Sequence, residues 1–183
     1  MHNFEKVFDI KNHSEFKKQC LDIYNFQYEN NMVYQNYCNM ICKDPTDVNE
    51  INKIPFLPIS FFKTKKILSN DNFERVFYSS GTSTNSRSKH FISSLKLYQK
   101  SFINNFKLNY SDITQYRILA LLPNYYDNKD SSLIYMIEKL IKLTKSKESG
   151  FFLDDYFNLS KKLIELDTNC LLYTSDAADD LVG

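Results

Sequence analysis

Residues 73–92 read FERVFYSSGTSTNSRSKHFI, two short apolar segments on either side of ten polar or small residues. Phe73–Tyr78 predicts a β-strand, and Lys89–Ile92 predicts the strand that returns beside it. Between them, Ser79–Ser88 surrounds one glycine with hydroxyl side chains, and two cations, Arg87 and Lys89, lie at its end. The stretch therefore predicts a hairpin with a long polar loop.

A loop of this composition can hold phosphate. Glycine lets the backbone approach closely, N–H groups and hydroxyls donate to phosphate oxygens, and a cation neutralises charge. It is not a Walker loop, because no Gly-Lys-Ser/Thr follows at the required spacing. From spacing alone, an exposed turn rich in serine and threonine is the favoured interpretation.

The chain before the hairpin is predicted to be helical. Apolar stripes predict two helices between His13 and Lys43, and Asp44–Asp47 ends the second and caps a short third. Two prolines in Ile54–Phe62 exclude a long helix or a central strand. The Phe61-Phe62 pair is interpreted as core rather than as an acyl pocket.

After the hairpin, helices and strands alternate. Helices are predicted over Ser94–Leu108, from a cap at Ser131 or Ser132, and from Asp154 or Asp155 to Leu166. Tyr116–Pro123 and Gly150–Leu153 predict short strands, the first of them buried. The pattern predicts an α/β fold preceded by a helical segment over residues 1–53.

Composition excludes several classes of protein. The 183 residues are 43% hydrophobic and 25% charged, and 23 basic against 22 acidic residues leave a net charge of +1. This is typical of one globular domain and argues against a nucleic-acid binder. No apolar run approaches the ~20 residues that span a bilayer, and the N-terminus lacks a secretory signal, so a cytoplasmic location is expected. The four cysteines are interpreted as reduced thiols, and no metal site is predicted, because the three histidines lack zinc-ligand spacing.

Six blocks carry a resemblance to a known family. In order they are IPFLPISFFKTKKI, FYSSGT, SKHF, LYQKSF, ILALLPNYYDNKDSSLIYMIEKLI and SGFF. This order, from Ile54 to Leu166, resembles the LuxE-type acyl-protein synthetases of bacterial luciferase systems. These are similar in turn to phenylacetate–coenzyme A ligases and to the adenylate-forming superfamily. The resemblance implies that residues 54–169 form the N-terminal part of an acyl-activating α/β large domain.

The resemblance also implies roles for particular residues. Lys89 is the first candidate for the catalytic cation that closes the motif, and Arg87 is the second. Tyr125 and Tyr126, in the strand-end motif, are either a wall of the acyl pocket or simple packing, with neither favoured. His90 and the pair Asp154-Asp155 are interpreted as structural. The ATP phosphate loop is matched by Ser79, Ser80, Gly81, Thr82, Ser83 and Thr84, the last standing where members commonly have a second glycine.

The implied function is a ligase and acyltransferase reaction. A carboxylic acid of the fatty acid class would react with ATP, with Mg²⁺ as cofactor, to give an acyl-adenylate and pyrophosphate. The acyl group would then pass to a thiol, either a protein cysteine or a pantetheine. The alternative is a non-catalytic module that binds a nucleotide or a phosphate, which carboxylate-dependent exchange between pyrophosphate and ATP would distinguish.

The last fourteen residues, 170–183, differ in composition from the rest of the chain. They lack the Lys, Asn, Ile and Phe that dominate it, and Cys170 through Asp180 resembles, residue for residue, a translated sequencing-library transposon adapter. We therefore expect a foreign, disordered tail, a natural protein interrupted near Asn169, and no role for Cys170 as an acyl acceptor. Adenine, ribose and lid motifs would then lie beyond residue 169, and the 183-residue chain would be inactive.

Overall fold

The computed structural model describes residues 4–42, 44–79, 87–122 and 129–167. Several sequence predictions fall outside these ranges. They concern Ser80–Thr84 of the phosphate loop, Tyr125 and Tyr126, and the tail over residues 170–183.

Two helices open the fold, as the apolar stripes predicted. Helix α1 spans His13–Asn30 and helix α2 spans Met32–Ile41. Asn31 ends α1 and begins α2, since its side-chain oxygen accepts a hydrogen bond from the Tyr34 N–H at 3.1 Å. One residue thus turns the chain between two packed helices.

The first hydrophobic core lies between these helices and the proline-rich segment. Its buried members are Tyr24, Tyr34 and Cys38. The Tyr24 hydroxyl donates to the Pro45 carbonyl at 2.5 Å, and the Tyr34 hydroxyl donates to the Pro55 carbonyl at 2.6 Å. Because these bonds satisfy both phenols, buried tyrosines can fasten the irregular chain onto the helices. That chain holds 3₁₀ turns over Pro45–Asp47 and Ile51–Lys53 and a one-turn helix, α3, over Phe61–Thr64.

The hairpin forms as predicted. Strand β1 spans Arg75–Tyr78, strand β2 spans Lys89–Ile92, and they pair antiparallel with Phe77 opposite His90. Helix α4 follows over Leu95–Tyr110, capped by the Ser94 side chain at the Leu97 N–H. A 3₁₀ turn over Ile113–Gln115 comes next.

A second hydrophobic core joins the hairpin to the later helices. Helix α5 spans Ser132–Thr144, with Ser131 as its cap. The buried members of this core come from β1, α4, the 3₁₀ turn and α5, namely Phe77, Phe102, Ile113, Tyr135 and Leu140. The hairpin is therefore anchored to the helices through Phe77 and Ile92.

Strand β3 is shorter than predicted. It covers only Leu119–Ala120 and pairs in parallel with β4, Gly150–Phe151, before helix α6, Tyr156–Asp167. The prediction of a buried strand over residues 116–123 was wrong in extent, because Leu121 is 46% exposed and no neighbouring strand is described beyond it. Within the described ranges the strands form two separate two-stranded sheets, so the fold mixes helices with small sheets. None of the described helices combines the length and apolar character needed to cross a membrane.

Candidate functional site

Two serines close the base of the hairpin loop. The Ser79 N–H donates to the Ser88 carbonyl at 3.1 Å, and the Ser88 N–H donates to the Ser79 hydroxyl oxygen at 3.0 Å. Ser88 is only 5% exposed, so its backbone is held where water does not compete. We call Ser79, Arg87 and Ser88 the loop base. Its bonds leave the Ser79 O–H hydrogen able to donate to another acceptor.

Arg87 is held at this loop base. Its Nε donates to the Ser79 carbonyl at 2.7 Å, and its guanidinium carbon lies 5.3 Å from the centre of the Tyr78 ring. A hydrogen bond from a charged donor and a cation–π contact both favour this position. Arg87 therefore connects the two ends of the loop.

Lys89 has a different environment. It is exposed, lies opposite Tyr78 in the β1–β2 ladder, and makes no ion pair with any other residue of the described ranges. Its ammonium group can thus meet an anion at the loop without first breaking a described contact. The structure places Ser79, Arg87 and Lys89 together at the loop end of the hairpin.

His90 is a packing residue in this structure. Its ring stacks on Phe62 with the ring centres 4.9 Å apart and the planes 20° from parallel. Burial lowers the pKa of this imidazole, because the charged form loses hydration. Phe61 and Phe62 are both only half-buried and belong to neither described hydrophobic core, so Phe62 packs on His90 at the edge of the hairpin rather than in a core.

Asp155 is a helix cap, as the structural interpretation held. Its carboxylate accepts hydrogen bonds from the Asn158 amide nitrogen at 2.6 Å and from the Asn158 backbone N–H at 3.1 Å. These bonds lower the pKa of the carboxyl group, because they favour its charged form. Asp155 thus caps the N-terminus of α6.

Residues 129 and 130, directly before helix α5, contact strand β1 of the hairpin. The Tyr78 N–H donates to the Asp130 carbonyl at 3.0 Å, and Arg75 Nη2 donates to the Lys129 carbonyl at 3.0 Å. Arg75 Nη2 also lies 3.9 Å from the Asp130 carboxylate. Residues 129 and 130, which follow the Leu122–Tyr126 motif in the sequence, are therefore tied to β1 directly before the loop base. Sequence reasoning missed Arg75, and its only signal was a cation in the first predicted strand of the hairpin, next to Glu74.

The described part of this site holds two groups that can contact an anion. Lys89 supplies positive charge, and Ser79 supplies a hydroxyl at the loop base. In the ranges that the structure describes, no three His, Cys, Asp or Glu side chains lie together as a metal cluster. Mg²⁺ bound with a nucleotide is commonly held by phosphate oxygens, waters and one or two carboxylates, so it does not require such a cluster.

The family comparison agrees with the resemblance read from the sequence. The family model described as "Acyl-protein synthetase, LuxE" matches residues 3–100, more than half of the chain. The match includes α1 and α2, for which the six blocks carried no resemblance, and it includes the whole hairpin. Neither the curated proteins nor the solved structures give a significant match to this chain. The chain belongs to the LuxE family of acyl-protein synthetases.

Proposed function

We propose that the protein activates a carboxylic acid of the fatty acid class with ATP and then transfers the acyl group to a thiol. The observation that carries this proposal is the match of residues 3–100, which include the serine-rich loop, to the LuxE acyl-protein synthetases. The Tyr78–Asp130 hydrogen bond of 3.0 Å joins the strand that leads into the serine-rich loop to the residues that follow the strand-end motif.

The first reaction needs the acid and the triphosphate side by side. A carboxylate oxygen attacks the α-phosphorus, the bond from that phosphorus to the bridging oxygen breaks, and pyrophosphate leaves. Negative charge grows on the leaving phosphates, where fixed donors and cations lower the barrier. Lys89 and the Ser79 hydroxyl are the described groups that we assign to this charge, and Mg²⁺ would supply further neutralisation when bound.

In the second reaction, the sulfur of the acceptor attacks the acyl carbonyl carbon and AMP leaves. The thiol gives up its proton, because the thiolate is the nucleophile. The acceptor is a protein cysteine or a pantetheine. A protein acceptor agrees with the family description of an acyl-protein synthetase. We assign Tyr125 and Tyr126 to the acyl side of the site.

The test is isotope exchange between pyrophosphate and ATP, measured with and without a panel of fatty acids of increasing chain length. The assay is run on two proteins. The first is the 183-residue chain, and the second, called the genomic product, is expressed from the reading frame of the source genome, which tests the expected foreign tail. Exchange that depends on added acid supports the proposal. ATP binding without exchange in either protein would instead indicate a nucleotide-binding module. If the genomic product neither binds ATP nor catalyses the exchange, the assignment of the loop to phosphate binding is refuted.

A further inference from the structure

We infer that a small cavity beside the start of strand β1 binds the phosphate group of a small phosphate monoester. The cavity has a volume of about 240 Å³. It is lined by Arg75, Lys129, Ile134, Tyr135 and Glu138, and all five residues belong to the described ranges. The proposed reaction assigns a role to none of them, so this inference does not depend on that proposal.

Arg75 provides the first cation of the cavity. Its guanidinium carbon lies 5.2 Å from the centre of the Tyr135 ring and 5.5 Å from the centre of the Phe77 ring. Both rings are buried members of the second hydrophobic core. A flat, charged group stacked on buried rings has little freedom left, so its donors point in a defined direction.

Most of the hydrogen-bond donors of Arg75 have no partner among the described residues. A guanidinium carries five N–H donors, and its one described hydrogen bond runs from Nη2 to the Lys129 carbonyl at 3.0 Å. The Asp130 carboxylate lies 3.9 Å from the same Nη2, beyond hydrogen-bond length, and its side chain is 59% exposed. The remaining donors can therefore bind an anion in the cavity.

Lys129 provides the second cation. Its side chain is exposed and forms no ion pair with any residue in the described parts of the chain. Its backbone is fixed, because its carbonyl accepts from Arg75 and the next carbonyl, of Asp130, accepts from the Tyr78 N–H at 3.0 Å. An ammonium group on a flexible stem then starts from a fixed place at the cavity.

The carboxylate in the lining does not cancel this charge. Glu138 is paired with the ammonium group of Lys142 at 2.5 Å. A further cation, Lys139, lies with its Nζ 5.5 Å from the centre of the Tyr135 ring. Cations therefore outnumber carboxylates around the cavity by two, with Arg75, Lys129, Lys139 and Lys142 against Asp130 and Glu138.

The charge and the size of the cavity favour a phosphate monoester over a carboxylate. Above pH 6 a phosphate monoester carries nearly two negative charges, which match the excess of cations, and its oxygens can accept from arginine and lysine together. The buried side chains of Ile134 and Tyr135 form an apolar wall for a short carbon chain. A volume of about 240 Å³ is below the ~300–1,000 Å³ of ordinary small-molecule sites, so the ligand is small.

The experiment is an NMR titration of the ¹⁵N-labelled 183-residue chain with glycerol 3-phosphate, at constant ionic strength and without ATP or acid. We expect saturable shifts of the backbone N–H signals of Arg75, Ile134 and Glu138 and of the Arg75 Nε–H signal. Phosphate bound at the loop base would instead shift Ser79 and Ser88. Absence of saturable shifts around the cavity, or equally tight binding of acetate, would overturn the inference.

Two variants change the charge of the lining in opposite directions. Lys129→Met should weaken binding about tenfold, the loss of one charge-assisted contact. Glu138→Gln should tighten binding about twofold, because it removes a like charge. The matched control is Lys107→Met, which removes an equal charge from an exposed lysine in the last turn of α4. It should leave the affinity within about twofold of the parent.

Thermal unfolding of each variant shows whether the fold is retained, and exposed Lys129 can be replaced without disturbing a core. Unchanged affinity in Lys129→Met, or weakening equal to that in Lys107→Met, would overturn the site. Weaker binding in Glu138→Gln would do the same. Failure of the acid-dependent exchange reaction would refute the proposed function and leave these results intact.

Discussion

Methionine keeps the length of a lysine or arginine side chain and removes its charge. We expect Lys89→Met to weaken phosphate binding, whereas Arg87→Met should loosen the loop base. Lys89 is exposed and makes no ion pair with another described residue, so its replacement should leave the free energy of unfolding within about 0.5 kcal/mol. If Lys89 binds a phosphate group, the Lys89→Met substitution removes one charge-assisted contact. At about 1.5 kcal/mol this corresponds to roughly tenfold weaker binding.

The assay is equilibrium binding of inorganic pyrophosphate and of ATP to the 183-residue chain by titration calorimetry, at low and at moderate salt. Lys65→Met is the matched control, since Lys65 is also an exposed lysine but ends α3 rather than the loop. Equal weakening by both variants would mean that only general positive charge matters. Unchanged affinity in Lys89→Met would remove Lys89 from the site, and no binding by the parent chain would refute the phosphate loop itself.

The remaining predictions concern the loop base and the first core. Replacing Arg87 by methionine removes the 2.7 Å bond to the Ser79 carbonyl and should quicken amide exchange at Ser79 several-fold, read by mass spectrometry, with little change in melting temperature. Tyr34→Phe leaves the carbonyl of buried Pro55 without its 2.6 Å donor and should cost about 1–3 kcal/mol in urea unfolding; no change would show that water replaces the donor. Burial raises the pKa of Tyr24 to about 12, whereas an unfolded tyrosine ionises near pH 10. The unfolded chain therefore loses this proton first, so stability is full below about pH 10 and falls as pH rises from there to about 12. The loss is about 1.4 kcal/mol at pH 11, and Tyr24→Phe should flatten this part of the pH profile.

Local signals predicted most of the fold. Caps such as Asn31, Ser94 and Ser131 act on N–H groups three residues later, so the residues that begin a helix are visible in the sequence itself. The hairpin was predictable for the same reason, because both strands and the polar loop lie within twenty consecutive residues. These elements depend on little beyond their own neighbours along the chain.

The length of strand β3 could not be predicted from local sequence. Residues 116–122 are apolar enough for a buried strand, but a strand extends only as far as a partner backbone accompanies it. The described partner is β4, which pairs with Leu119 and Ala120 alone. Leu121 then lies 46% exposed despite its hydrophobic side chain. Sequence pattern indicates that a residue can be buried, but the availability of a partner decides whether it is.

The candidate site depends on the same kind of distant pairing. The loop composition pointed to Ser79, Arg87 and Lys89, yet composition could not separate the cation that bridges the loop base from the exposed one. That difference arises from the Ser79 carbonyl and the Tyr78 ring, which lie beside Arg87 only after β1 and β2 have paired. The contact made by Arg75 was still harder to predict from the sequence. Its acceptor is the main-chain carbonyl of residue 129, and every residue type carries such a carbonyl. Motif reasoning reads side chains, so it could not find a contact whose acceptor is the main chain.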